Sequence, residues 1–217
     1  MLDNTINKIK NKNNVKIVCY GDSITYGYPC YAKDGVSQVS LPYPKLLESK
    51  LRFYFENSSI TVLNKGNVGW QSYQGYKHIE KNVLSLKPDL CILMFGINDC
   101  KGSISGGLPV SRKNYEKYLG RCVQTLIDNS IDVLLLTPTP AFIPRLKKFV
   151  NIVLDVASTH SLHCVNMYDS IKDIVKHKNE NLGTIFLDGI HFRDDAYRYI
   201  SDVILEEFIR YEISNDL

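Results

Sequence analysis

Apolar residues along the chain fall into short runs that alternate with stretches of helical period. Val15-Lys-Ile-Val-Cys-Tyr20 is short and β-branched and stops at Gly21, which predicts a strand. Residues 43–55 carry Leu46, Leu47, Leu51 and Phe55 at helical spacing, with Pro44 near the start, where proline is tolerated. Residues 60–63 predict a second strand, and 72–86 a helix closed by Pro88. Residues 90–95 are continuously apolar, as expected of a parallel strand buried on both faces. Residues 114–128 predict a helix with Tyr115, Tyr118, Leu119, Cys122 and Leu126 on one side. A fourth strand at 131–136, a helix at 143–158, a short fifth strand at 164–166 and a last helix at 195–211 follow. In that last helix Ile200, Val203, Ile204 and Phe208 point inward.

Strict alternation of strand and helix favours right-handed βαβ units, hence a parallel α/β sheet covered on both sides. No internal repeat or linker interrupts it, so residues 15–217 read as one domain. Residues 1–14 are rich in Asn and Lys and read as a solvated lead-in. Two loops are long for their class, 28–42 and 100–111, and both follow strand ends, where open α/β sheets bind ligands. A third, 176–189, precedes the last helix.

Composition narrows the class. Of 217 residues, 44% are hydrophobic and 23% charged, which argues against disorder, collagen and coiled coil. Lys plus Arg is 26 against 23 acidic residues, an excess too small to predict nucleic-acid binding. No apolar run is long enough for a membrane span, and the first residues lack the apolar core of a secretory signal. A cytoplasmic protein is therefore expected, with oligomeric state open. Six cysteines are too few for a disulfide scaffold and none forms a CxxC pair, so free core thiols are expected.

Several familiar sites are missing. The first strand is followed by Gly21-Asp22-Ser23-Ile24-Thr25, not GxGxxG, and neither GxxxxGK[ST], HExxH nor GxSxG occurs. His160 and His163 are spaced HxxH beside Cys164, but a zinc site needs a further ligand; the segment reads as a helix end entering a strand. No metal and no cofactor are expected.

The strand-loop junctions nevertheless hold a consistent polar set. Ser23 follows the first strand, Gly66 and Gly69 the second, and Asn98 the third, while Asp188 and His191 precede the last helix. In a parallel sheet these junctions share one rim. A serine hydroxyl is a poor nucleophile at neutral pH and needs an adjacent base, which His191 supplies because imidazole titrates near neutrality. Asp188, three residues earlier, suits the task of holding the ring tautomer. The backbone N–H of Ser23, the N–H of Gly69 and the side-chain amide of Asn98 are candidate donors to an oxyanion. Gly66 competes with Gly69 for that register. Ser23 read alone is a helix cap, His191 a surface histidine, and Asn98 a turn former. Trp70 is either a wall of the substrate pocket or core packing. Tyr26, Tyr28 and Phe142 lie near these segments and read as packing. Asp22 and Asp99 read as loop stabilisers through local side-chain to backbone bonds.

Four segments in order resemble the SGNH hydrolases, also called GDSL esterases and lipases. Gly-Asp-Ser-Ile-Thr-Tyr-Gly at 21–27 resembles the nucleophile block, and Gly69 the glycine of the second. Gly96 to Asp99 is similar to GxND, and Asp188 to His191 to DxxH. The resemblance implies a flavodoxin-like three-layer α/β/α sandwich of about five parallel strands. It also implies ester hydrolysis through an acyl-enzyme on Ser23, without metal or cofactor.

The polar 28–42 loop, with Tyr31, Lys33, Asp34, Ser37, Gln38 and Ser40, and the Gly- and Ser-rich 100–111 loop favour a short acyl ester of a polar alcohol such as a carbohydrate. A thioesterase, lysophospholipase or acyltransferase would use the same residues. A degenerate member that only binds glycan is the non-enzymatic alternative, disfavoured because every catalytic position is filled.

Overall fold

Five strands, β1 (Val15–Gly21), β2 (Ile60–Gly66), β3 (Leu90–Met94), β4 (Asp132–Leu136) and β5 (His163–Val165), form one parallel sheet in this computed structural model. The structure describes residues 2–29, 38–102 and 107–214. Strand order is β2-β1-β3-β4-β5, the flavodoxin-like order. The predicted α/β three-layer sandwich is thus the observed architecture.

Helix α1 (Asp3–Lys10) precedes β1, and the short α2 (Ser23–Tyr26) follows it. Helix α3 (Tyr43–Tyr54) then connects β1 to β2. Helices α4 (Ser72–Lys77) and α5 (Ile79–Asn82) connect β2 to β3. Helices α6 (Ile97–Lys101) and α7 (Arg112–Asp128) connect β3 to β4, and α8 (Leu146–Thr159) connects β4 to β5. Helices α9 (Met167–His177) and α10 (Tyr197–Ser214) close the chain.

The crossover from β1 to β2 runs opposite to the others along the sheet, so right-handed connections put α3 on one face and α4, α7 and α8 on the other. Consecutive residues of β1 show the two faces. Cys19 faces Tyr43 of α3, while Tyr20 donates its hydroxyl to the Gly75 carbonyl of α4 at 2.8 Å. Helices α9 and α10 join α3 on its face. Every residue of β3 is buried, which explains its unbroken apolar run.

Three expectations change. Residues 1–14 are not a solvated lead-in: α1 and its N-cap residue bury Leu2, Ile6 and Ile9 in the core, a stripe at i, i+4 and i+7. Thr5 Oγ1 donates to Asp132 Oδ2 at 2.7 Å and Lys8 pairs with Asp89 at 2.5 Å. Both carboxylates stand where β4 and β3 begin, so α1 closes the amino edge of the sheet. The single helix expected at 72–86 is interrupted at His78, with φ −111° and ψ 11°, and again at Val83. Each break accompanies an apolar residue turned inward, Ile79 and then Val83. Finally, Asn166 does not end β5 but caps α9, accepting from the Asp169 N–H at 3.2 Å.

Candidate active site

The carboxyl end of β1 lies where the chain leaves β1 and β3 toward opposite sides of the sheet, opening a crevice. Ser23 opens α2 there. Asp22 caps α2, accepting from the Ile24 N–H at 2.9 Å, and turns the chain so that Ser23 faces the crevice.

Ser23 Oγ lies 2.9 Å from His191 Nε2, and His191 Nδ1 lies 2.7 Å from Asp188 Oδ2. The other carboxylate oxygen of Asp188 accepts from the backbone N–H groups of His191 at 2.7 Å and Ile190 at 2.9 Å. A carboxylate facing Nδ1 fixes the proton there and leaves Nε2 as acceptor for the serine hydroxyl. Tyr28 presents its ring edge-on to the His191 ring at 5.4 Å. Burial is the largest influence on His191 and holds it below the ordinary imidazole value, against the pull of Asp188. Burial raises Asp188, but the N–H and ring of His191 outweigh it, and the carboxyl sits below its usual range.

Asn98 is the second residue of α6, which starts directly beyond β3. Its Nδ2 donates to the Trp70 carbonyl at 3.0 Å, using one of two amide protons. Gln71 Nε2 donates to the Asn98 carbonyl at 3.0 Å and to the Leu108 carbonyl at 2.8 Å. Ser72 Oγ donates to Asp99 at 2.6 Å, and its N–H reaches both oxygens at 3.1 Å. Residues 70–72 and 98–99 are therefore laced together. Gln71 and Ser72 escaped sequence reasoning, because their partners lie 27 and 37 residues away. Asp22 bonds locally as expected; Asp99 does not, since it spans to Ser72. Burial first, then each other's proximity in the case of Asp22, pushes these carboxyls up, Asp22 to about 7 and Asp99 to about 6.

Gly66 is the last residue of β2, paired with Gly21. A Cβ on Gly66 would meet the Tyr26 nitrogen at 2.0 Å, so this glycine lets β2 approach α2. Gly69 lies in the following turn with φ +78°. Trp70 is half-buried, edge-on to Tyr20 at 6.5 Å and tilted over His78 at 5.0 Å; its carbonyl, not its ring, is what holds Asn98. Leu108, whose carbonyl accepts from Gln71, Phe142, which faces Gly189, and Leu187, next to Asp188, are all exposed. Of the loop residues offered for substrate contact, Tyr31, Lys33, Asp34 and Ser37 lie outside the described residues, as do 103–106. Gln38 donates to the Tyr26 carbonyl. His163 faces Glu207 at 3.5 Å and meets the Tyr211 ring edge-on. The five described cysteines are free. Among the described residues no helix is long and apolar enough to cross a membrane.

The sequence profile of the GDSL-like Lipase/Acylhydrolase family matches residues 19–199. The chain belongs to this family. The resemblance drawn from the four blocks is thereby borne out, and the GDSL family places the protein among hydrolases. Solved structures share its fold. A lipase/acylhydrolase from Enterococcus faecalis is 26% identical with a TM-score of 0.71, over 89% of this chain and 94% of that one. LAE5, an alpha/beta hydrolase from the metagenome of Lake Arreo, is 24% identical with a TM-score of 0.76 and the same shares, 89% and 94%. A catalytic mutant of an acetylxylan esterase from Geobacillus stearothermophilus is 20% identical, TM-score 0.76, again over 89% and 94%. Among curated proteins, none matches the chain in sequence.

Proposed function

We propose that this GDSL-family hydrolase cleaves carboxylic esters through an acyl-enzyme on Ser23. The observation that carries the reading is the continuous relay Ser23 Oγ–His191–Asp188, at 2.9 and 2.7 Å. His191 Nε2 takes the hydroxyl proton as Oγ attacks the ester carbonyl carbon, and Asp188 holds the opposite ring proton. The resulting oxyanion receives the N–H groups of Ser23 and Gly69 and the second amide proton of Asn98. Collapse breaks the C–O bond, and the leaving alcohol takes the proton from His191. Water then enters, gives its proton to His191, and releases the acid and free Ser23.

The substrate class is a short acyl ester, acetyl above all, of a polar alcohol such as a carbohydrate. Support comes from the polar loops near the site, where Gln38 and Ser40 are described, and from the fold shared with an acetylxylan esterase.

Two measurements test this. A fluorophosphonate should label Ser23, and labelling that persists in Ser23→Ala would refute the nucleophile. Rates on p-nitrophenyl esters should peak at acetyl to butyryl and fall beyond about six carbons, since each unburied CH₂ forfeits up to about 0.8 kcal/mol of binding. A rate still climbing at longer chains would overturn the short-acyl assignment and turn attention to the exposed Leu108, Phe142 and Leu187 as a bed for an acyl tail.

A further inference from the structure

A cavity of about 270 Å³ lies between the starts of α7 and α8, lined from α6 by Cys100, two residues past Asn98. Three cationic side chains line it: Arg112, the first residue of α7; Arg145, just before α8; and Lys148, in the first turn of α8. Cys100, Pro109, Val110 and Phe149 complete its lining, and no acidic side chain lines it. Among the described residues none of the three cations has a carboxylate partner, whereas the neighbouring Lys147 pairs with Asp169 at 2.5 Å. Asp99, behind Cys100, is fully buried and turned toward Ser72.

We propose that this cavity binds a carboxylate or phosphate group carried by the polar half of the substrate. The proposal rests on the ester-hydrolase reading above. The three cations are solvent-exposed, so water screens their mutual repulsion, and an anion among them would be attracted by all three. The first turns of α7 and α8 contain no acid, so the positive ends of both helices add to the field of the three cations. Arg guanidinium groups suit planar bidentate recognition of carboxylate or phosphate. Helix α6 ties the cavity to the reacting centre. Cys100 and Asn98 are two residues apart on α6, so an anion in the cavity lies near the reacting centre but not at the scissile ester. It therefore belongs to a unit next to the esterified one, as a uronic acid or a phosphorylated sugar beside an acetylated sugar would supply.

The test uses the full chain and the variant Arg112→Gln/Arg145→Gln/Lys148→Gln. Thermal unfolding is followed in inorganic phosphate, in D-glucuronate and in chloride of equal ionic strength. Phosphate or glucuronate should raise Tm of the wild-type protein above chloride, and the triple variant should lose that gain. Which of the two acts at lower concentration identifies the preferred anion. In dilute chloride the variant should melt higher than wild type, because its charge conflict is gone. Equal Tm values in all three salts would overturn the anion site. For the substrate, kcat/KM on an acetylated oligosaccharide bearing a uronic acid should exceed that on its neutral counterpart by at least tenfold, and the variant should erase the difference. Anion binding without that preference would overturn the assignment to substrate. No turnover of any acetyl ester, with anion binding intact, would sink the esterase reading instead.

Discussion

The side-chain amide of Asn98 is held by the carbonyl of Trp70 at 3.0 Å, the residue directly after Gly69. Two of the three proposed oxyanion donors are thus fixed to each other across the crevice. Asn98→Ala should lower kcat about a hundredfold while changing KM little, because the amide serves the oxyanion rather than the ground-state carbonyl. Gln71→Ala should lower kcat by a smaller factor, about tenfold, since it holds the backbone of Asn98 and Leu108 rather than the oxyanion. Steady-state kinetics on p-nitrophenyl acetate separates the two; a KM effect alone in Asn98→Ala would assign it to substrate positioning.

His191 must be neutral to accept a proton. Burial lowers its proton affinity, so the acid limb of kcat/KM should have its midpoint below the ordinary value of about 6.5. The same shift makes the folded state bind fewer protons than the unfolded one. Its contribution to stability is therefore full above about 6.5 and is lost as pH falls. Asp188→Asn should cut kcat by about 10³ to 10⁴, because the amide cannot enforce the tautomer that frees Nε2. A limb midpoint above 6.5 would show that the Asp188 charge outweighs burial.

Asp22 has the opposite sign. Its folded carboxyl holds its proton up to about 7, whereas the unfolded chain releases it near 4. The folded state binds the extra proton, so stability falls as pH rises between those values. Asp22→Asn keeps an acceptor for the Ile24 N–H and removes the charge. Its Tm should exceed that of wild type at pH 8 by at least about 4 °C, with a smaller difference at pH 5. Parallel Tm profiles for the two proteins would show that Asp22 is ionised in the fold without penalty.

Gly189 sits between Asp188 and His191 with φ +82°, and a Cβ there would lie 3.0 Å from the Phe142 ring. Phe142 in turn donates its N–H to the Gly189 carbonyl at 2.8 Å. Gly189→Ala should displace the loop and lower kcat about tenfold or more, although residue 189 takes no part in the chemistry. Adding Phe142→Ala should restore part of the loss by removing the collision, leaving the backbone strain of about 1 kcal/mol. Strictly additive losses in the double variant would rule out the collision as cause.

What could be read from sequence follows from what each feature depends on. β3 was legible because burial on both faces makes every residue apolar. Ser23 and Asn98 were expected on one rim because parallel topology sends strand ends there, and the structure does place His191 and Asp188 within hydrogen-bonding reach of Ser23. The lacing of Gln71 to Asn98 and Leu108 was not, since no local pattern encodes a pairing across 27 or 37 residues. Helix α1 was obscured by its own composition: three buried apolar positions sit among Asn and Lys, and the stripe emerges only at helical spacing. The breaks at His78 and Val83 arise from packing against the sheet, which period alone does not reveal.

Thr5 finds its side-chain partner 127 residues further along, in Asp132. As the chain leaves the ribosome, α1 can meet β1 and Asp89 early, but its contact with β4 and the Asp132 partner of Thr5 come only later. β1 waits similarly, since the sheet order places the first strand made in the interior, with neighbours supplied by β2 and β3. Most of the protein must be present before its earliest segments are covered, so assembly is dominated by late, long-range closure. A nascent chain halted before residue 132 would lack the β4 side of the seat of α1, leaving Leu2, Ile6 and Ile9 less covered, and those residues are where a chaperone would take hold.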